Sequence, residues 1–385
     1  MPETRIKTAS KLPWVETTIF TKMSRLAKKH NAINLSQGFP DFPSDPKLSD
    51  LVTRAMKDGY NQYAPMPGLL QLREVISEKI AATHLVNYDP LTEITITVGA
   101  TQAIFTAIAT FVNPGDEVIL LKPAYDCYEP AIALQGGVSV PVQMHSPYYK
   151  VNWNEVRAKI RPQTRMLIIN TPHNPTGTIL THEDMLELES ILKHTNILLL
   201  SDEVYEHIIF DGATHESACR FPYLAERAFI CASFGKTFHN TGWKTGYCVA
   251  PATLMHEFRK SHQFAVFCAN HPMQKAFADY LKEPSHYLSL PDFYEKKRNR
   301  FRKLLKGSRF EILETKGTYF QLLDYSAIST QKDIDFANWL VKIHGIASIP
   351  VSVFHENGED LHLLRFCFAK ENDTLERAAS VLRGL

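Results

Sequence analysis

The residues able to do chemistry in this 385-residue sequence sit in a few short stretches. Lys236 lies in SFGKTFHN, between the apolar run AFICA and a glycine-containing segment, so its amine can stand at a strand end and condense with an aldehyde. Asp202 closes the aliphatic run ILLLS, where an ionised carboxylate costs free energy unless it meets a cation. Capping a helix would equally explain an Asp after a strand. Arg365 stands among apolar neighbours in LLRFCFA, where a permanent charge demands an anion. That anion is either a ligand carboxylate held bidentately or a salt-bridge partner elsewhere in the chain. Gly99, Ala100 and Thr101 open a helix whose free N–H groups suit an anion such as phosphate. Asn174 in NTPHNPTG and Tyr205 in SDEVYEH follow two further apolar runs. Taken singly, each has an ordinary explanation as a turn residue, a packed ring or a solvated charge; their common position after strands is what joins them.

The elements that must carry these residues can be read from about residue 93 onward. EITITV, ATQAIFTAIATFV, EVILLKP and an amphipathic segment before Gly136 alternate strand-like and helix-like patterns, which is α/β wiring. MLIIN (166–170), ILLLSD (197–202) and AFICAS (228–233) are nearly continuous apolar runs, as expected of strands covered on both faces of a mainly parallel sheet. Ligands of such sheets bind beyond the carboxyl ends of the strands. Gly99, Tyr125, the NTPHNPTG turn, Asp202 with Tyr205, and Ser233 with Lys236 all fall there. Residues 279 to 307 read as long charged helix leading to a last region of mixed elements. These are FEILETKGTYFQLLDY, a helix around DFANWLVKIHG, the strand LLRFCFA and a closing helix from Asn372. LSQGFPDFPSDP reads as extended loop able to fold back onto either part.

Composition narrows the function classes. Lys plus Arg (42) nearly balances Asp plus Glu (41), which argues against a nucleic-acid or anionic-membrane partner and for a small molecule. With 44% hydrophobic residues the chain has material for a large core and two domains. Cys127, Cys219, Cys231, Cys248, Cys268 and Cys367 are scattered without CxxC or metal-ligand spacing, so reduced core cysteines and no metal are expected. The opening MPETRIKTASKLPW lacks an apolar run of signal-peptide length, and a cytoplasmic location is the expectation.

NTPHNPTG (170–177), SDEVYEH (201–207) and SFGKTFHNTGWKTGY (233–247), joined by NQYAPMPG (61–68), VGATQAI (98–104) and LLRFCFA (363–369), span nearly the whole chain. In this order they resemble the class I and II aminotransferases of fold-type I pyridoxal-phosphate enzymes. LSQGFPDF and GKTFHNTGWKTGY make the chain most similar to the branch holding methionine aminotransferases and kynurenine or glutamine-transaminase-K enzymes. The resemblance implies a large domain with a mainly parallel seven-stranded sheet covered by helices and a smaller α+β C-terminal domain. The expected boundaries are an N-terminal arm at 1–45, the large domain at 46–283 and the small domain at 284–385.

It also implies pyridoxal 5'-phosphate as cofactor and a role for each residue. Lys236 would be the Schiff-base lysine and the proton carrier, and Asp202 the partner of the pyridine nitrogen. Tyr205 and Asn174 would bond the ring hydroxyl, and Tyr125 would stack on the ring. Gly99, Ala100, Thr101, Ser233 and Lys244 would form the phosphate cup. Lys244 departs from the arginine, and Gly235 from the serine, that many relatives carry there, which implies an altered cup geometry. Tyr63 resembles a tyrosine that reaches the phosphate from a neighbouring subunit, implying a homodimer with shared sites. Arg365, helped by Gly38, would bind the substrate α-carboxylate. Phe39, Tyr63, Tyr125 and Phe354 are candidates for a side-chain pocket favouring methionine or aromatic amino acids. A carbon–sulfur β-lyase using the same cofactor is the nearest alternative. A ligand-sensing regulator is another, although the first 45 residues hold no basic helix-turn-helix pattern.

Overall fold

The computed structural model describes residues 9–385, so the first eight residues of the expected N-terminal arm lie outside the described residues. Seven strands form the main sheet: β1 (Ile94–Thr97), β2 (Glu117–Lys122), β3 (Val138–Gln143), β4 (Thr164–Asn170), β5 (Leu198–Asp202), β6 (Ala228–Ser233) and β7 (Gly246–Val249). Their order is β1-β7-β6-β5-β4-β2-β3. β7 pairs antiparallel with both neighbours, while every other pair is parallel. The expected seven-stranded, mainly parallel sheet is therefore present. β5 is buried at every residue, and β4 and β6 at nearly every one, because helices cover both faces. The helix Gly99–Phe111, apolar along most of its length, packs against β6 and β7 on one face.

The long helix expected over 279–307 is broken. The chain forms His271–Tyr280, Ser285–Leu288 and Leu290–Leu305 instead. Pro284 and Pro291 lack the N–H that a continuous helix needs, and Pro291 sits in the first turn of the last piece, where a proline is tolerated.

Beyond it, β8 (Glu311–Ile312), β9 (Phe320–Asp324), β10 (Ile349–Pro350) and β11 (Leu363–Cys367) make an antiparallel sheet in the order β10-β11-β9-β8. The helices Asp333–His344 and Asn372–Arg383 accompany it. Arg365 lies mid-strand, opposite Leu322 and Ile349. The loop starting at Leu35 packs on these C-terminal elements. Ile33–Asn34 pairs in parallel with Ile346–Ala347, and the Cys367 N–H donates to the Leu35 carbonyl at 2.8 Å. All six cysteines are free, and Cys127 and Cys268 are only partly buried. Among the described residues no helix is long and apolar enough to cross a membrane.

Candidate active site

A cavity of about 150 Å³ opens at the carboxyl ends of the main-sheet strands. The strand-end residues converge on its wall. Gly99, Ala100 and Thr101 come from the start of the 99–111 helix, Tyr125 follows β2, Asn174 follows β4, Asp202 ends β5 with Tyr205 just beyond, Ser233 ends β6, and Lys236 and Lys244 follow it. Gly99 has φ of +73°, a conformation side chains rarely adopt, and a Cβ there would lie 3.6 Å from Lys244 Nζ. The lysine is thus aimed at the open end of a helix whose first residues carry no side-chain cap, the geometry of an anion site. Gly235 packs so tightly that a Cβ would fall 3.0 Å from Thr241 Cα, which accounts for glycine at that position.

Lys236 occupies the one-turn helix Phe234–Thr237, and its Nζ donates to the Gly38 carbonyl at 3.0 Å. Burial pushes its amine down to about 8, with Arg365 and Lys244 acting the same way and Cys367 and Asp202 opposing. A larger share of neutral amine, as a nucleophile or proton acceptor needs, is the consequence. Asp202 is pushed the other way. Burial raises its carboxyl to about 6, against hydrogen bonds from the Tyr128 hydroxyl (2.7 Å to Oδ2) and the Val204 N–H (3.3 Å to Oδ1). An ionised carboxylate with those donors and no cation in contact is under-compensated, and a cationic ligand group would relieve it. Burial likewise raises the Tyr205 hydroxyl well above the ordinary range.

Arg365 is 1% exposed. Nη1 donates to Asn174 Oδ1 at 2.6 Å and Nη2 to the Ser36 carbonyl at 3.2 Å, while Nε is buried without a partner. Its guanidinium lies 3.8 Å from the Phe320 ring centroid. These acceptors are neutral, so the charge itself is unanswered. The Gly38 carbonyl accepts from the Tyr319 hydroxyl at 2.5 Å as well as from Lys236.

Five expected residues are not on the cavity wall: Arg365 and Gly38, already placed, and three aromatics. Phe354 is buried behind Arg365, its ring 5.6 Å from the guanidinium carbon and 5.9 Å from the Phe20 ring. Phe39 is 43% exposed, with the Lys370 ammonium 5.0 Å from its ring. Tyr63 is 81% exposed and packs edge-on against Phe267. Four residues went unnoticed in the sequence. Asn170, the polar end of MLIIN, accepts from the Asn174 N–H at 2.8 Å and lines the cavity, and the strand-end rule could have found it. Tyr128 is one helical turn beyond Tyr125, but nothing local marks its reach to Asp202. Tyr319 and Phe20 carry no sequence signal of this kind.

The strand order and cavity define a fold-type I aminotransferase scaffold. Residues 30–382 match the family described as aminotransferase class I and II. A methionine aminotransferase from Escherichia coli (strain K12) is 49% identical over 377 residues, 98% of each chain. A kynurenine–oxoglutarate transaminase from Dictyostelium discoideum is 31% identical, covering 94% of this chain and 92% of its own. A solved Escherichia coli structure described as having a methionine aminotransferase function superposes with a TM-score of 0.97 at 48% identity, covering 99% of this chain and 100% of that one. The chain belongs to the class I and II aminotransferases. It is an aminotransferase of a family whose members depend on pyridoxal 5'-phosphate.

Proposed function

We propose that this enzyme moves the α-amino group of methionine or an aromatic amino acid to a 2-oxo acid, using pyridoxal 5'-phosphate held at Lys236. The carrying observation is that one cavity joins a buried lysine of lowered pKa and an under-compensated Asp202, and that Asn174 on its wall is bonded to Arg365, whose Nε is unpaired. These residues fit the cofactor's three needs: an amine for its aldehyde, a carboxylate for its ring nitrogen, and the Gly99 helix end with Lys244 for its phosphate.

When bound, the cofactor supplies the electron sink for amino-acid chemistry. The chain's residues do the rest. Asp202 holds the proton on the ring nitrogen, with Tyr128 supporting its charge. Tyr205 and the free amide of Asn174 bond the ring hydroxyl, Tyr125 packs on the ring, and Ser233 joins the phosphate cup. Arg365 takes the α-carboxylate that donor and acceptor share, so one anchor serves both halves of a ping-pong reaction. Lys236 would hold the cofactor's aldehyde and, as a neutral amine, would take the proton from the substrate α-carbon and give it back there in the reverse half-reaction. Preference for an uncharged side chain is supported by the rings around Arg365, by Phe354 and Phe39 nearby, and by the named substrates of the relatives. Tyr63, exposed on one chain beside Phe267, suits a homodimer in which it completes the neighbour's phosphate cup. The domains proposed are 46–283 and 284–385, with the arm through residue 45 held to the second by the Ile33–Ile346 ladder.

Purified protein is expected to be yellow and to bleach with borohydride. Methionine should yield its keto acid stoichiometrically only when a 2-oxo acid acceptor is present. Pyruvate and ammonia from cystathionine without an acceptor would instead establish the β-lyase, and colourless protein after cofactor addition would remove the cofactor reading.

A further inference from the structure

The segment that presents Asp202 and Tyr205 to the cavity has a second, fully internal side. Glu203 and Glu206 alternate with them in sequence and do not line the cavity. Glu206 is 9% exposed, and its Oε1 receives Lys79 Nζ at 2.6 Å and the Tyr247 hydroxyl at 3.1 Å. Lys79 also donates to the Tyr247 hydroxyl at 3.0 Å, closing a three-membered ring of hydrogen bonds between the helix Leu70–His84, the β5 turn and β7. His84 and His207 flank Glu206 at 3.9 and 3.7 Å. Glu203 accepts from Ser201 Oγ at 2.7 Å and the Ala218 N–H at 3.0 Å, and its other oxygen lies 2.8 Å from His215 Nε2. The Glu206 N–H returns to the Glu203 carbonyl at 2.9 Å, so the two anchors belong to one turn.

A buried ion pair is a weak source of net stability, because desolvation offsets most of its attraction. A polar ring satisfied in a single geometry does fix that geometry. Electrostatic catalysis requires groups already in place, since reorienting them during the reaction raises the barrier. We propose that Lys79 and Glu206 are positioning residues for amino transfer, a buried pair that fixes the 202–206 turn so that Asp202 and Tyr205 meet the cofactor without reorganising. This rests on the reading of the cavity as the pyridoxal phosphate site.

The decisive variant is Lys79→Met/Glu206→Met, which replaces both charges by apolar chains of similar reach and leaves no buried charge unanswered, only the neutral Tyr247 hydroxyl without its partners. It should melt within a few degrees of wild type, whereas either single change strands a buried charge and lowers the melting temperature sharply. With stability restored, kcat should still fall about tenfold while the KM for methionine changes by less than about twofold. Its apoprotein should bind added pyridoxal 5'-phosphate about tenfold more weakly, read by quenching of tryptophan fluorescence, because affinity too depends on a preset Asp202 and Tyr205. Wild-type kcat and wild-type cofactor affinity in the double variant would overturn the proposal and leave the pair as filling. If the double variant does not fold, Tyr247→Phe decides, since it removes one hydroxyl from the same ring: a fall of about threefold in both quantities at constant KM supports positioning, and no change refutes it. Wild-type protein that takes up no cofactor would instead fail the reading of the cavity, before any variant is compared.

Discussion

Two groups of buried charges meet at the turn 202–206, and they are finished to different degrees. Below it, Lys79, Glu206, Glu203 and His215 answer one another at 2.6 to 2.8 Å. Above it, Asp202 and Lys236 have no contacting charge of opposite sign, and Arg365 ends on neutral acceptors with its Nε unpaired. Folding alone can satisfy the first group, and only something that arrives later can satisfy the second. The pKa directions carry the same message. Burial works against the charge of Glu203 and Glu206, yet neighbouring bases hold both below the ordinary glutamate range, while Asp202 rises to about 6 and Lys236 falls to about 8. Proximity of charges does not distinguish a ligand site from structural wiring; incompleteness does.

If that contrast is right, substitutions above the turn should cost turnover far more than they cost stability. Lys236→Ala is the most severe: it removes the residue proposed as both covalent anchor and proton carrier, so turnover should drop about 10⁴-fold or more with the melting temperature held or raised. Rapid-mixing assays of single turnovers with methionine would measure it, and activity within tenfold of wild type would break the contrast at its centre. Asp202→Asn keeps the shape and the Tyr128 contact but leaves the ring nitrogen's proton without a counter-charge. Stranding a buried charge costs roughly 3–5 kcal/mol, so kcat should fall about 10² to 10³-fold. Steady-state kinetics at saturating cofactor would show it.

The same contrast marks what the sequence discloses. Asp202 and Arg365 stand out because they end or interrupt an apolar run, and Lys236 and Asn174 because they follow one within a few residues; polar groups in such places are conspicuous without coordinates. Lys79 does not. In LQLREVISEKIAATH it looks like one more charge on a solvated helix, and its burial depends on Glu206 and Tyr247, which lie 127 and 168 residues away. Tyr128 is hidden in the same way, 74 residues before its partner Asp202. The strands β1, β2, β4, β5 and β6 declare themselves by composition, whereas the mostly half-buried Val138–Gln143 and the glycine-led Gly246–Val249 carry too little pattern to stand out. The break between 280 and 290 was readable from Pro284 and Pro291, had the charge pattern around them not suggested one continuous helix.

Arg365→Lys sharpens the contrast beside the cavity, at the residue bonded to Asn174 of its wall. Lysine keeps the charge but loses the planar fork, so the α-carboxylate should be held by one hydrogen bond fewer, worth about 1.5 kcal/mol. KM for amino donor and for keto acceptor should both rise roughly tenfold, with kcat changing much less. A change confined to one of the two substrates would show that the arginine does not serve as their common anchor.

The smallest effect separates the two groups by sign. Asp202 has a folded pKa near 6, above its ordinary 3.8, so its contribution to stability is intact below about 3.8 and is lost as pH rises through 6. Glu203 and Glu206 have lowered values, so their contribution is present above the ordinary glutamate range and is lost only as pH falls below it. Of these three carboxylates only Asp202 should change charge between pH 7 and 5.5, from mostly ionised to mostly neutral, and with it the ability to hold a protonated ring nitrogen. Lys236 would confuse the measurement, because its own protonation opposes the covalent link in the same range. Cofactor titrations therefore belong in Lys236→Ala protein, where binding is non-covalent. Affinity there should weaken about fourfold between those two pH values. The midpoint should sit slightly above 6, because the Lys236 charge that favours ionised Asp202 is gone. Adding Asp202→Asn should flatten the profile. A step that survives in the double variant would assign the titration to another group in the cavity, and Asp202 would then have found its compensation without a ligand.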